Sequence, residues 1–208
     1  MLVAFDFDGT LSDSEMTVLL GEQCGVADEM ETITERAMNN EIAYADSLRQ
    51  RCALLRGLSL DRAEAAFSQV RLRPGAAKLL DALAANGVYT AILTGGFERG
   101  VDAALAHDGT TVKTVIANRL LDADGELTGD VEGPLIEGTK DDALAVLQAT
   151  VGEQDVIAVG DGANDLPMLE VADLAVGFDP KPAVEPACDV VVSSMAELET
   201  LFAERGAL

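Results

Sequence analysis

Residues 1–10 read MLVAFDFDGT, and the interpretation of those positions decides the fold. The run LVAF at 2–5 is apolar without a break and is followed at once by Asp6-Phe7-Asp8-Gly9. An unbroken run of this kind marks a strand buried on both faces, as in a parallel sheet. Side chains alternate along extended backbone, so Asp6 and Asp8 point to one side while Phe5 and Phe7 point to the other. Two carboxylates therefore converge at the carboxyl end of a strand, where open α/β sheets take their ligands. A lone Asp-x-Asp is also common in turns; the buried run before it and Gly9 after it favour a site. Such a pair can hold a divalent cation, and one member can act as nucleophile while the other handles a proton.

Working outward, similar runs recur at 88–93 (VYTAIL), 112–117 (VKTVIA), 156–159 (VIAV), 174–178 (LAVGF) and 190–192 (VVV). Between most of them lie Ala- and Leu-rich amphipathic stretches at 75–86, 97–106, 140–150 and 195–204. Strand and helix alternate, which predicts an α/β fold with a doubly wound parallel sheet. One interval breaks the rhythm: 16–72 has helical periodicity and no convincing strand, far more than the ~10–12 residues a crossover needs. It reads as a helical insert, leaving 1–15 and 73–208 as the α/β core. Pro74 near a first helical position and Gly87 just past a helix end bracket the restart of that core. The segment NRLLDADGELTGD at 118–130 reads as a β-hairpin.

Composition narrows the function classes. A chain of 208 residues, 49% hydrophobic, can bury a full core without staples. Cys24, Cys52 and Cys188 are odd in number and widely spaced, so neither a disulfide framework nor a zinc site is expected, and a reducing cytoplasm fits best. No basic leader or membrane-length apolar run precedes the first strand. Asp plus Glu number 37 against 14 Lys plus Arg, giving a net charge of −23 spread along the chain. Such a surface repels nucleic acid and anionic lipid, so neither is an expected partner. With only four lysines, the pattern suggests adaptation to a high-salt cytosol; an ordinary acidic protein is the plainer alternative.

Three further motifs follow strand ends. Thr94-Gly95-Gly96 closes VYTAIL, where glycines let backbone N–H groups approach an anion and the Thr94 hydroxyl adds a donor; a plain turn would look the same. Lys140 falls in a first helical turn, with Thr139 as N-cap and Asp142 at N3, where the helix dipole disfavours a cation. A solvated lysine is the usual explanation, but a phosphate would hold one there. After VIAV come Gly160-Asp161-Gly162-Ala163-Asn164-Asp165, with Asp161 at the strand end and Asp165 one helical turn on. An acidic N-cap cluster is the alternative reading. The whole set is harder to obtain by chance than any member.

These residues, in this order, resemble those of the haloacid dehalogenase-like hydrolases and, within them, the phosphoserine phosphatase family. The resemblance covers nearly the whole chain: FDFDGTL, LTGGF and VGDGAND, then Glu15, SLRQR at 47–51 and ANRLLDADGELTGDVEGP at 117–134. It implies a Rossmann-like core with a helical cap over 16–72 and a β-hairpin insertion. It implies that Asp6 attacks the phosphoryl group to form an aspartyl-phosphate, while Asp8 protonates the leaving alkoxide and then deprotonates water. Mg²⁺ would be held by the Asp6 carboxylate, the Asp8 carbonyl and Asp161. Thr94, Lys140, Asn164 and the amides of Gly9, Gly95 and Gly96 would surround the phosphoryl oxygens, with Asp165 behind them. The implied substrate is O-phosphoserine, taken by a cytoplasmic monomer or homodimer.

By the same resemblance Glu15 pairs with the substrate ammonium, Arg51 with its carboxylate, and Met38 and Tyr44 line the pocket. Each has another explanation: Ser12-x-x-Glu15 fits a capping box, Met38 and Tyr44 fit core, and Arg51 fits a solvated helix face. Helical geometry puts Arg51 at the edge of an apolar stripe, but Arg49 and Arg56 border it too. Gly9 and Thr94 stand where many of these phosphatases have serine, which leaves the chemistry intact and weakens the assignment to phosphoserine. Another small phosphorylated metabolite, with hydrolysis or phosphotransfer, is the alternative. His107 falls at a helix end and is given no role.

Overall fold

A computed structural model describes residues 1–38 and 41–208; the side chain of Met38 lies outside the described residues, and with it the expectation placed on it. In chain order the elements are β1 (Leu2–Phe5), α1 (Met16–Cys24), α2 (Ala27–Met38), α3 (Tyr44–Ala53), α4 (Leu60–Phe67), α5 (Ala76–Ala85), β2 (Tyr89–Phe97) and α6 (Glu98–Asp108). They continue with β3 (Thr114–Ala123), β4 (Glu126–Glu132), α7 (Lys140–Val151), β5 (Val156–Gly160), α8 (Leu166–Val171), β6 (Leu174–Phe178), β7 (Val190–Val192) and α9 (Met195–Glu204).

The strands form one sheet in the order β4-β3-β2-β1-β5-β6-β7. Every neighbouring pair is parallel except β3 and β4. β1 lies between β2 and β5, so the chain winds outward from it in both directions, and its carboxyl end is the topological switch point. β1, β5 and β6 are buried on both faces, as their unbroken apolar runs require. Leu2 and Ala4 pack against Leu144 and Met168 on one face, while Val3 and Phe5 pack towards Leu79 and Phe202 on the other.

The strand-free interval folds as α1 to α4. Met16, Leu20, Leu48 and Leu55 join the same apolar cluster as Phe97 and Val101, and Phe67 meets Phe97 edge-on at 6.3 Å. The two connections to this helical group run side by side: the Arg73 N–H donates to the Leu11 carbonyl at 2.8 Å, and Ser12 bridges Leu72. Arg73 also donates to the Gly9 carbonyl at 3.0 Å and lies over the Phe178 ring, 5.2 Å from its centroid.

Two expectations of strand geometry change. The pieces 112–117 and 118–130 are not a strand followed by a separate hairpin, because β3 is continuous through both. It pairs with β2 up to Asn118 and with β4 from Arg119 onward. VYTAIL likewise does not end at Thr94: β2 runs on to Phe97, with an irregularity between Leu93 and Phe97 that contains Thr94-Gly95-Gly96. Fully buried Asn118 explains both. It donates to the Gly95 carbonyl at 3.0 Å and accepts from the Leu135 N–H at 3.1 Å, holding the bulged segment to the point where β3 changes partners.

Candidate active site

Asp6 follows directly on β1, tied to β5 by its N–H donating to the Val159 carbonyl at 2.8 Å. The Lys140 ammonium, 2% exposed, donates to Asp6 Oδ1 at 2.5 Å and to Asp165 Oδ1 at 2.6 Å. Asp165 Oδ2 accepts the N–H groups of Asp161 at 3.0 Å and Gly162 at 2.9 Å. Both Asp165 oxygens are thus committed to the protein. Asp6, Asp161 and Asp165 come close enough together for a metal ion. Asp165, with its bonds made, is the support beneath Asp6 and Asp161, which keep oxygens to offer. A donor set made only of oxygen suits a hard divalent cation.

The Asp161 carboxylate accepts from the Thr10 hydroxyl at 3.2 Å and lies 3.5 Å from the Lys181 ammonium. Gly9 has φ +93°, and a Cβ there would lie 2.5 Å from Asp161 Oδ1, so only a residue without a side chain lets that carboxylate approach undisturbed. The Gly9 N–H, expected to face an anion, instead donates to the Ser12 carbonyl at 2.9 Å. Thr94 Oγ1 accepts the Gly96 N–H at 2.9 Å, which leaves its own proton to give. Asp8 Oδ1 is sealed from solvent without a hydrogen-bond partner among the described residues.

Electrostatics separate the carboxylates. Burial raises the Asp8 pKa well above the ordinary carboxylate range, and the negative charges of Glu15 and Asp6 add to it. Asp6 is pushed up to about 8 by burial and by Asp165, against the opposing pull of Lys140. Asp161 is pushed up to about 6, again by burial first and Asp165 second. Burial alone would lower the Lys140 pKa, but Asp165 and Asp6 outweigh it and keep the ammonium charged. A cluster this rich in carboxylate and poor in compensation suits a bound cation.

Above the carboxylates is a cavity of about 660 Å³, floored by Asp6, Asp8, Thr94, Gly95, Gly96, Asp161 and Asn164, and roofed by Glu15, Tyr44 and Arg51. Tyr44 reaches Gly95 so closely that any Cβ there would overlap its hydroxyl. Burial separates the three arginines. Arg51 is 9% exposed and faces the cavity, whereas Arg49 pairs with Glu137 and Arg56 lies 3.9 Å from Asp130, all at the surface.

Two local details differ from expectation. Thr139 precedes α7, but its hydroxyl donates to the Pro134 carbonyl at 2.6 Å and does not cap the helix; the buried Lys140 ion pairs hold that first turn. The Ser12–Glu15 capping box does not form, because Ser12 Oγ accepts from the Ser14 N–H and Glu15 faces the cavity. His107 is exposed at the end of α6 beside Asp108. Thr10, Asn118 and Lys181 were not singled out from sequence. Lys181 could have been, as one of four lysines and flanked by Pro180 and Pro182. Thr10 and Asn118 carry no local signal.

The family model described as haloacid dehalogenase-like hydrolase matches residues 3–170. The phosphoserine phosphatase of Halobacterium salinarum is 53% identical over 207 residues, 99% of this chain and 98% of the relative. That of Lactococcus lactis is 39% identical, covering 89% and 87% of the two chains. Among solved structures, a phospho-aspartyl intermediate analogue of phosphoserine phosphatase superposes with a TM-score of 0.89 at 33% identity, covering 96% of this chain and 97% of the other. A substrate-bound phosphoserine phosphatase complex gives the same TM-score and identity, with 96% of each chain covered.

Proposed function

Since the chain belongs to the haloacid dehalogenase-like hydrolases, we propose that it is a Mg²⁺-dependent phosphatase that hydrolyses O-phosphoserine to serine and phosphate through an aspartyl-phosphate on Asp6. The observation that carries this reading is the buried Lys140 ammonium, which donates to Asp6 at 2.5 Å beneath a cavity roofed by Glu15 and Arg51. Lys140 fixes the direction of the Asp6 carboxylate, so one oxygen is aimed into the cavity. That oxygen attacks phosphorus, the bond from phosphorus to the seryl oxygen breaks, and Asp8 gives its proton to the departing oxygen. Asp8, now ionised, takes a proton from water as the water attacks phosphorus. The phosphorus bond to Asp6 then breaks, releasing phosphate and restoring the Asp6 carboxylate and the protonated Asp8.

Asp6, Asp161 and the Asp8 carbonyl would hold Mg²⁺, which when bound neutralises charge on the carboxylates and on the phosphoryl oxygens. The Thr94 hydroxyl, Asn164 and the Gly95 N–H supply neutral donors to those oxygens, the Gly96 N–H being spent on Thr94 against expectation. Residues 16–72 act as a cap on a core made of 1–15 and 73–208, with Glu15 taking the substrate ammonium and Arg51 its carboxylate. The enzyme serves serine formation in the cytoplasm, and the distributed acidic surface is an adaptation to salt there.

Acid-quenched protein incubated with ³²P-labelled phosphoserine and Mg²⁺ is expected to retain label in the native sequence and none in Asp6→Asn. Label retained by Asp6→Asn would overturn the nucleophile. Faster turnover of sugar phosphates than of phosphoserine would overturn the substrate.

A further inference from the structure

Resting on the reading of Arg51 as the group that takes the substrate carboxylate, the geometry points to Thr17 as the residue that positions Arg51 and selects which edge of its guanidinium meets that carboxylate. A guanidinium offers two edges able to make paired bonds to a carboxylate, Nε with Nη2 and Nη1 with Nη2. In this chain Arg51 Nη1 donates to Thr17 Oγ1 at 3.1 Å, with Thr17 8% and Arg51 9% exposed. Arg51 Nε is buried and has no partner among the described residues. A buried donor left unmatched is unfavourable, so a partner is expected when the site is in use. Nη1 is therefore held on the protein, and the Nε–Nη2 edge is the one left to engage a carboxylate. Both residues line the cavity, so a carboxylate bound there lies beside the guanidinium, and the buried Nε is reached as the ligand displaces what now covers it.

The consequence reaches beyond one hydrogen bond. Thr17 stands on the first turn of α1, two positions after Glu15, while Arg51 comes from α3, 34 residues on. A single turn of α1 thus carries the acidic group for an ammonium and also anchors the basic group for a carboxylate. An α-amino acid presents those two charges on one carbon, at a short fixed separation that two independent flexible side chains would hold poorly. The favoured class is a phosphorylated α-amino acid, preferred over a phosphate ester that has the amine and lacks the carboxylate.

Thr17→Val keeps the shape and removes the acceptor; Thr17→Ser keeps the acceptor. The full-length protein would be assayed with O-phosphoserine and with O-phosphoethanolamine, which lacks the carboxylate. Thr17→Val is expected to raise KM for phosphoserine more than it lowers kcat, and to reduce the ratio of kcat/KM for phosphoserine over phosphoethanolamine by about tenfold, as for loss of a hydrogen bond to a charged group. Thr17→Ser is expected to restore most of that ratio. In an Arg51→Ala background, Thr17→Val should add no further loss, because the two residues act as one unit. An unchanged ratio in Thr17→Val, equal losses in Val and Ser variants, or full additivity with Arg51→Ala would overturn the role of Thr17. If Arg51→Ala itself leaves the ratio intact, the carboxylate reading fails and takes this inference with it. A selective loss in Arg51→Ala alone removes only Thr17.

Discussion

Asp6 and Asp8 are chemically identical, two residues apart, and differ in what surrounds them, which is what the proposed division of labour between them rests on. Asp6 has an ammonium at 2.5 Å; Asp8 faces Glu15 and Asp6, with one oxygen buried and unpartnered among the described residues. A raised folded pKa means that Asp8 holds its proton at low pH and loses it as pH rises through that value, so the proposed action as an acid fades on the alkaline side. Asp8→Asn is expected to lower kcat for phosphoserine by ~10²–10⁴-fold, the range for a lost general acid. The burst of p-nitrophenol that accompanies phosphorylation of Asp6 by p-nitrophenyl phosphate should be slowed far less, because that leaving group departs without a proton, and the alkaline decline with phosphoserine should disappear. A burst slowed as much as the turnover of phosphoserine would remove Asp8 from proton transfer to the leaving group. The Asp-x-Asp pair and Asp161 were legible because each ends an apolar run. The groups that tune them were not: Thr10 reaches Asp161 across 151 residues and Arg51 reaches Thr17 across 34. Nothing local in the sequence distinguishes a threonine that serves a carboxylate or a guanidinium from one that serves solvent.

At the level of elements, the helical interval and the alternation around it could be read from periodicity, and α5, α6, α7 and α9 fall within two residues of where it placed them. The hairpin was legible from Asp124-Gly125, both at positive φ between the paired residues Ala123 and Glu126. Its attachment was not, because it is backbone to backbone. The Gly57 N–H donates to the Leu127 carbonyl at 2.9 Å, the Leu127 N–H to Leu58 at 2.8 Å, and the Leu60 N–H to Gly125 at 2.9 Å. The loop between α3 and α4 thereby becomes an extra strand-like edge on β4, and the helical group is held at two places, here and at the paired connections. Gly125→Val forces a β-branched residue into φ +84° with nothing for its Cβ to strike, so the strain is conformational and local to the turn. At a strain of ~1–2 kcal/mol, amide exchange at Gly57 and Leu60 should accelerate by roughly 5–30-fold, though both lie outside the hairpin. Exchange there that stays at the native rate would mean that the hairpin does not hold the helices.

For the whole molecule the decisive quantity is the excess of 37 acidic over 14 basic side chains. The ion pairs that could offset it, such as Lys78–Glu199 at 2.9 Å and Arg99–Glu64 at 3.0 Å, are exposed, and pairs of that kind contribute ~0–1 kcal/mol each. Self-repulsion is therefore balanced mainly by solvent ions, whose screening length falls from about 10 Å at 0.1 M to about 3 Å at 1 M. Tm is expected to climb as KCl rises over that interval and to flatten above it. A Tm already at its plateau in dilute buffer would contradict the proposed salt adaptation. A divalent cation acts differently, through the site. Asp161, at about 6 when folded against ~3.9 when unfolded, binds more protons in the native state between those values. Its contribution to stability is therefore greatest below pH ~4 and is lost as pH rises through about 6. A cation that takes the place of the proton reverses that loss, so millimolar Mg²⁺ should raise Tm beyond the effect of KCl at equal ionic strength, and more at pH 8 than at pH 5. In Asp161→Asn the KCl response should persist while the excess due to Mg²⁺ disappears. An excess that survives this substitution would place the cation elsewhere on the acidic surface, and the carboxylates at the end of β1 would lose their claim to it.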